Sequence, residues 1–184
     1  MEKAACDGSL FHQINGGFEM IALNIVDVRD FMSKMLVHGT FDKFYLCEAS
    51  VETFTSFQFG GPLHKDYYSA GEQEAFGDRE TTLWQEMKPF AYELIRGKKL
   101  PISFKFVFAL SNENLTWLLE HNHLNIKPSD VSGLFLNIRY ENKKVTCITG
   151  TSFKTFVMDK TLERLWDATA VQFMKQNQIP VEEM

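Results

Sequence analysis

The sequence predicts an α+β fold: a single domain with a mainly antiparallel sheet covered by helices on one face. Three observations carry that expectation. Apolar residues alternate along several segments, best seen in Phe104, Phe106 and Phe108 between Ser103, Lys105, Val107 and Ala109, which is the period of a strand with one buried face. Other segments carry apolar residues at the i, i+3, i+4 spacing of an amphipathic helix. Short polar turns between alternating runs mark hairpins, which favour antiparallel pairing. With 184 residues, 45% hydrophobic and 23% charged, the chain is long enough to bury one core without disulfides or metal.

Residues 1–19 show no periodicity, and an apolar segment starts abruptly at Met20. Gly16-Gly17 is encoded GGN-GGN, compatible with a ribosome-binding sequence just ahead of a start codon, so 1–19 is expected to be a leader or extension outside the fold. The domain is then 20–177, with 178–184 a frayed tail. A strand is expected at 20–25. Asp27 caps a helix carrying Val28, Phe31, Met32, Met35 and Leu36 on one face, and Gly39 ends it. From Tyr45 to Phe59 every odd position is apolar or Thr, and no Gly, Pro or Asn marks a turn. That is about 50 Å of extended chain, so a long bent strand or two strands joined at a kink near Ser50 is expected.

Residues 60–80 are polar and turn-rich, the best candidate for a mobile loop. A helix over 82–96 places Leu83, Met87, Phe90, Ala91 and Leu94 inward, with Gly97 as its cap and a kink or break before Pro89. A strand over 101–110 leads to a short helix opened by Ser111. Leu134, Leu136, Ile138 and Tyr140 alternate, Glu141-Asn142-Lys143-Lys144 turns, and 145–149 returns as a hairpin. A further strand is expected over 153–158. Asp159 then caps a last helix with a Leu162, Leu165, Trp166, Thr169 and Phe173 stripe.

A formal charge of -5 supplies no global attraction to phosphate backbones, so nucleic acid is not an expected partner. No apolar run approaches the roughly 20 residues that span a bilayer, and no membrane partner is expected. Cys6, Cys47 and Cys147 are widely spaced and without a His partner at ligand spacing; Cys47 and Cys147 read as small buried hydrophobes. His121-Asn122-His123 share letters with HNH nucleases but are adjacent on a helix end, where side chains diverge too far to share a metal. No P-loop, GxGxxG, GxSxG or HExxH motif is present, and neither cofactor nor metal is expected.

Parity places Glu48, Glu52, Lys105, Asn137, Arg139 and Lys154 on the polar side of their strands, sharing one open face if helices cover the other. Four strand residues set Glu48 and Glu52 about 13 Å apart, beyond the roughly 5 to 9.5 Å of glycosidase carboxylate pairs. A solvated face with cross-strand ion pairs is the favoured account. The functional alternative is an anion- or peptide-binding face anchored by the planar fork of Arg139, with His64 and Tyr67 in a lid above it.

The segments LCEASVETFTSF (46–57), GLFLNIRYEN (133–142) and TGTSFKTFVMDKTLERLWD (149–167) resemble an uncharacterised domain family of Firmicutes bacteria, a domain of unknown function. The resemblance runs from about Met20 to the last helix. It implies a bacterial cytoplasmic protein and supplies no catalytic residues. The leading expectation is a small non-enzymatic binding or protein-interaction domain, homo-oligomeric through a sheet edge or an exposed aromatic patch. The alternative is an enzyme acting on a small anionic substrate at the polar sheet face, with Arg139 and Lys105 binding the anion and His64 or a glutamate carrying the proton.

Overall fold

The computed structural model describes residues 20–184; the expected leader, 1–19, lies outside the described residues. In chain order the elements are β1 (Ala22–Ile25), α1 (Val28–Leu36), β2 (Tyr45–Glu52), β3 (Ser56–Phe59), α2 (Ala70–Glu74), α3 (Trp84–Ile95), β4 (Ser103–Ala109), α4 (Asn112–His121), β5 (Val131–Glu141), β6 (Lys144–Phe153), α5 (Thr161–Gln176) and β7 (Val181–Glu183). The strands form one sheet in the order β3-β2-β4-β5-β6-β1-β7, antiparallel throughout. This is the α+β architecture the periodicities predict.

One face of the sheet is the core. Leu23, Ala49, Phe106, Leu136 and Cys147 meet helix residues such as Phe31, Leu119 and Ala170 in one buried cluster, so α1, α3, α4 and α5 share that side. Two tryptophans fix helices to neighbouring elements. Trp84 of α3 donates its indole N–H to Met35 O at 2.7 Å, and Trp166 of α5 donates to Phe135 O at 2.9 Å. Each buried indole therefore keeps its polar atom satisfied while its rings fill the core. Two expected caps form: Asp27 accepts from the Asp30 N–H at 2.9 Å, and Ser111 from the Asn114 N–H at 3.4 Å; the N-cap of α5 is Lys160 instead of Asp159, which accepts from the Thr161 N–H at 2.9 Å.

The long alternating run is a hairpin, reversing over residues 53–55 rather than kinking near Ser50. Pairing matches Val51 with Phe57 and Ala49 with Phe59, so partners across this three-residue turn share parity. The alternation therefore passes through the reversal unbroken, and periodicity cannot register it. The parity does slip at Cys47, where a bulge shifts the register between Leu46 and Glu48 and turns Leu46 inward. Helix α3 runs through Pro89 without a break, and Gln85 and Pro89, between which the i→i−4 bond is missing, are both exposed.

Residues 60–80 form a hydrogen-bonded excursion instead of an open loop. Leu63 N–H donates to Glu80 O at 2.8 Å, Lys65 Nζ to Gly77 O at 2.7 Å, and the Tyr68 and Phe76 rings meet edge to face at 4.7 Å. Arg79 closes it with a two-pronged contact to Glu86 of α3, both bonds 2.7 Å. Burial pushes the Glu86 carboxyl up, but the Arg79 fork and the Leu83 N–H outweigh it and hold the group below its ordinary range.

Two C-terminal expectations change. β6 absorbs Phe153, and no strand forms over 154–158. The tail expected to fray at 178–184 instead carries β7, paired with β1 through Leu23↔Glu183 and Ile25↔Val181. The reason is an edge: β1 has β6 on one side only, and its outward backbone groups need partners.

Candidate functional site

The open face holds the predicted polar row except Lys154, which lies past the end of β6 and in no strand. Ser50, Lys105 and Arg139 are successive cross-strand neighbours, and Asn137 lies opposite Val107 on the same face. Glu48 and Glu52 of β2 join them. Each has a local partner. Lys105 Nζ lies 3.1 Å from both Glu48 oxygens; Arg139 Nη2 lies 3.2 Å from Glu141 Oε2; Ser103 Oγ donates to Glu52 Oε2 at 2.9 Å; Asn137 Nδ2 donates to Ile148 O at 3.3 Å. Half-exposed pairs of this kind each contribute under about 1 kcal/mol. Lys105→Ala is accordingly expected to shift unfolding free energy by less than about 1 kcal/mol in urea titration, and a loss above 2 would show this row to be structural.

His64 and Tyr67 do not join the row. Their segment is anchored at the start of β2, where Gly61 N–H donates to Leu46 O at 3.0 Å, whereas Lys105 pairs with Ser50 four residues further along, about 13 Å. Among the described residues, no hydrogen bond, ion pair or ring contact links either to Lys105 or Arg139. Tyr67 is exposed, and its ring meets that of its neighbour Tyr68 edge to face at 5.3 Å. The other half of this face is apolar: Val107, Ala109, Phe135 and Cys47 form a second buried cluster, and Cys47, read from the sequence as a small buried hydrophobe, is disulfide-bonded. Phe135 lies flat over Gly133, where a Cβ would sit 2.5 Å from the ring, so the strand needs glycine there.

A second surface lies on the helix side at the sheet edge. Between β3 and α3 runs an open groove of about 410 Å³ lined by Phe57, Phe59, Met87, Phe90 and Leu94. Gln58 and Glu93 are its polar members, and Glu93 is 3.1 Å from Arg96. Phe90, expected on the inner face of its helix, is 62% exposed. The cause is geometric. α3 carries more apolar residues on that side than the four-residue outermost strand can cover. The edge strand, Ser56-Phe57-Gln58-Phe59, has no charge and no proline to discourage an added strand. Phe54, at the tip of the β2–β3 hairpin, is 93% exposed and touches Phe57 edge to face at 6.0 Å.

Residues 34–182 match a family described as a family of unknown function, DUF5721. The chain belongs to DUF5721. The match begins within α1 and takes in β2 through β6, so the polar row and the edge groove of this DUF5721 member both lie inside it. None of the curated proteins and none of the solved structures matches the chain.

Other chemistry-bearing groups of the DUF5721 domain lie outside both the row and the groove. His121 stacks on Trp117 with ring centroids 4.0 Å apart, and His123 follows at φ 53°, past the helix end. Burial pushes the Cys147 thiol up to about 12, so it stays protonated at neutral pH and is a poor nucleophile. Glu163 is buried in the first turn of α5 with Oε2 lacking a hydrogen-bond partner, at the helix end whose dipole favours an anion. Among the described residues no group of three His, Cys, Asp or Glu is placed to hold a metal ion, and no helix is long and apolar enough to cross a membrane.

Proposed function

We propose that this domain is a non-enzymatic protein-interaction module that binds an extended apolar segment along β3, with alternate side chains of that segment entering the groove against α3. The observation that carries the reading is the pairing of an uncharged sheet edge with an apolar groove beside it. Strand addition uses those two features together: edge N–H and C=O groups supply affinity, and side-chain pockets supply selectivity. The enzyme alternative has less support. Lys105 is already paired with Glu48, and Arg139 with Glu141. A bacterial, cytoplasmic setting belongs to the same proposal and rests on the resemblance alone.

Panning the full chain against a displayed random-peptide library tests this. The expected result is enrichment of peptides with aromatic or aliphatic residues at alternate positions, whose binding Phe90→Glu weakens at least about tenfold by placing a charge in the groove. No enrichment, or peptides indifferent to Phe90→Glu, would overturn it. Phe90 is exposed enough that this change leaves the core intact.

A further inference from the structure

Resting on that reading of the groove, we infer that its occupant is a second copy of this chain, joined edge to edge through β3 in a closed two-fold dimer. An interface of this symmetry uses the same patch twice, so the patch must carry both a projection and a recess that fits it. The β3 edge has both. Phe54 is the projection, standing 93% exposed at the hairpin tip, and the groove lined by Phe57, Phe59 and Phe90 is the recess.

Antiparallel pairing of β3 with its copy sets the residues before the strand in one chain beside those after it in the other. Phe54, two residues before Ser56, is thereby carried to the Phe59 end of the opposite groove. One operation covers both exposed features and satisfies the outward backbone groups of two edge strands. Phe54 and Phe90, 93% and 62% exposed, supply about 230–390 Å² per copy, and the strand edge, Gln58 and the groove walls supply the rest of the roughly 800 Å² per partner of a stable interface.

The opposite edge of the sheet explains why the assembly closes at two copies. β7 is three residues long and ends in Glu182 and Glu183, both exposed, so it is short and guarded by charge where β3 is neither. Head-to-tail growth from β3 onto β7 would bury those carboxylates at the junction. Pairing of β3 with β3 leaves the two β7 edges outermost, and no open fibre forms.

Sedimentation velocity on the full chain over a dilution series tests the inference. The expected result is a species of twice the 21.3 kDa chain mass at the concentrated end. Phe54→Ser, which removes the projection, and Gln58→Lys, which sets like charges across the two-fold axis, should each raise the dimer dissociation constant at least about tenfold. Both positions are exposed, so circular dichroism and melting temperature should stay close to those of the parent chain. A monomer throughout the series overturns the inference, and so does a dimer that neither substitution weakens. If the chain stays monomeric while the panned peptides bind through Phe90, this inference alone fails. If neither peptides nor Phe54-dependent dimers form, the groove reading fails with it.

Discussion

Trp84→Ala is expected to lower the free energy of unfolding by about 3–5 kcal/mol, the range for removing a large aromatic side chain from a packed interior. Trp84 is fully buried at the start of α3, with its ring 5.1 Å from Phe106 and 5.0 Å from Phe108 of the central strand β4. Two losses combine. The cavity removes ring contacts to two core phenylalanines, and Met35 O loses the indole donor at 2.7 Å in a site water does not reach. Since domains of this size are stable by only about 5–15 kcal/mol, the variant should melt many degrees lower and unfold at a much lower urea midpoint. Trp84→Phe separates the two terms: it keeps most of the ring and drops the hydrogen bond, and should lose about 1–3 kcal/mol. A Trp84→Ala protein within 1 kcal/mol of the parent chain would show that α3 is held by other contacts.

Gly60→Ala is expected to cost about 2–5 kcal/mol, from backbone strain and overpacking together. Gly60 has φ +93°, a region that L side chains rarely adopt, and an added Cβ would lie 2.8 Å from Leu46 Cδ2 and 2.9 Å from its Cγ. Leu46 is fully buried and cannot swing aside without disturbing the core. Gly71→Ala is the matched control. Gly71 lies in α2 with nothing within 4 Å of a built Cβ, so the same chemical change should be neutral or stabilise by up to about 1 kcal/mol through helix propensity. Equal effects from the two substitutions in parallel thermal melts would contradict the geometry. Because Gly60 directly follows β3, its substitution should also impair peptide capture at the groove.

The parts of this fold that were legible in the sequence are those in which burial alone sets the pattern. Phe104, Phe106 and Phe108 alternate because β4 turns every second residue to the helix-covered face, and the Phe31, Met35 and Leu36 stripe follows from one helix face meeting the sheet. The turn at 53–55 was hidden because its odd length preserves parity, and β7 was hidden because Val181-Glu182-Glu183 makes strand through its partner's need for hydrogen bonds rather than its own apolarity. The polar row was legible for the same reason as the core: Lys105, Asn137, Arg139, Glu48 and Glu52 are simply the other parity. Their pairing was not, since Lys105 meeting Glu48 while Arg139 turns to Glu141 depends on strand order. The edge groove left one trace, an apolar face on α3 wider than the strand beneath it, which only the position of β3 at the sheet margin turns into an opening.

The position of β1 has a consequence for how the chain is made. β1 lies between β6 and β7, so Ala22 pairs with Ile148 and Leu23 with both Cys147 and Glu183. During synthesis it leaves the ribosome ahead of every other strand named here and waits for β6 and β7, the last strands to be made. The hairpins β2–β3 and β5–β6 can zip as they emerge, but the sheet cannot close on its β1 side until β6 and β7 have emerged. Completion of the fold therefore waits on the slow capture of an early strand by late ones.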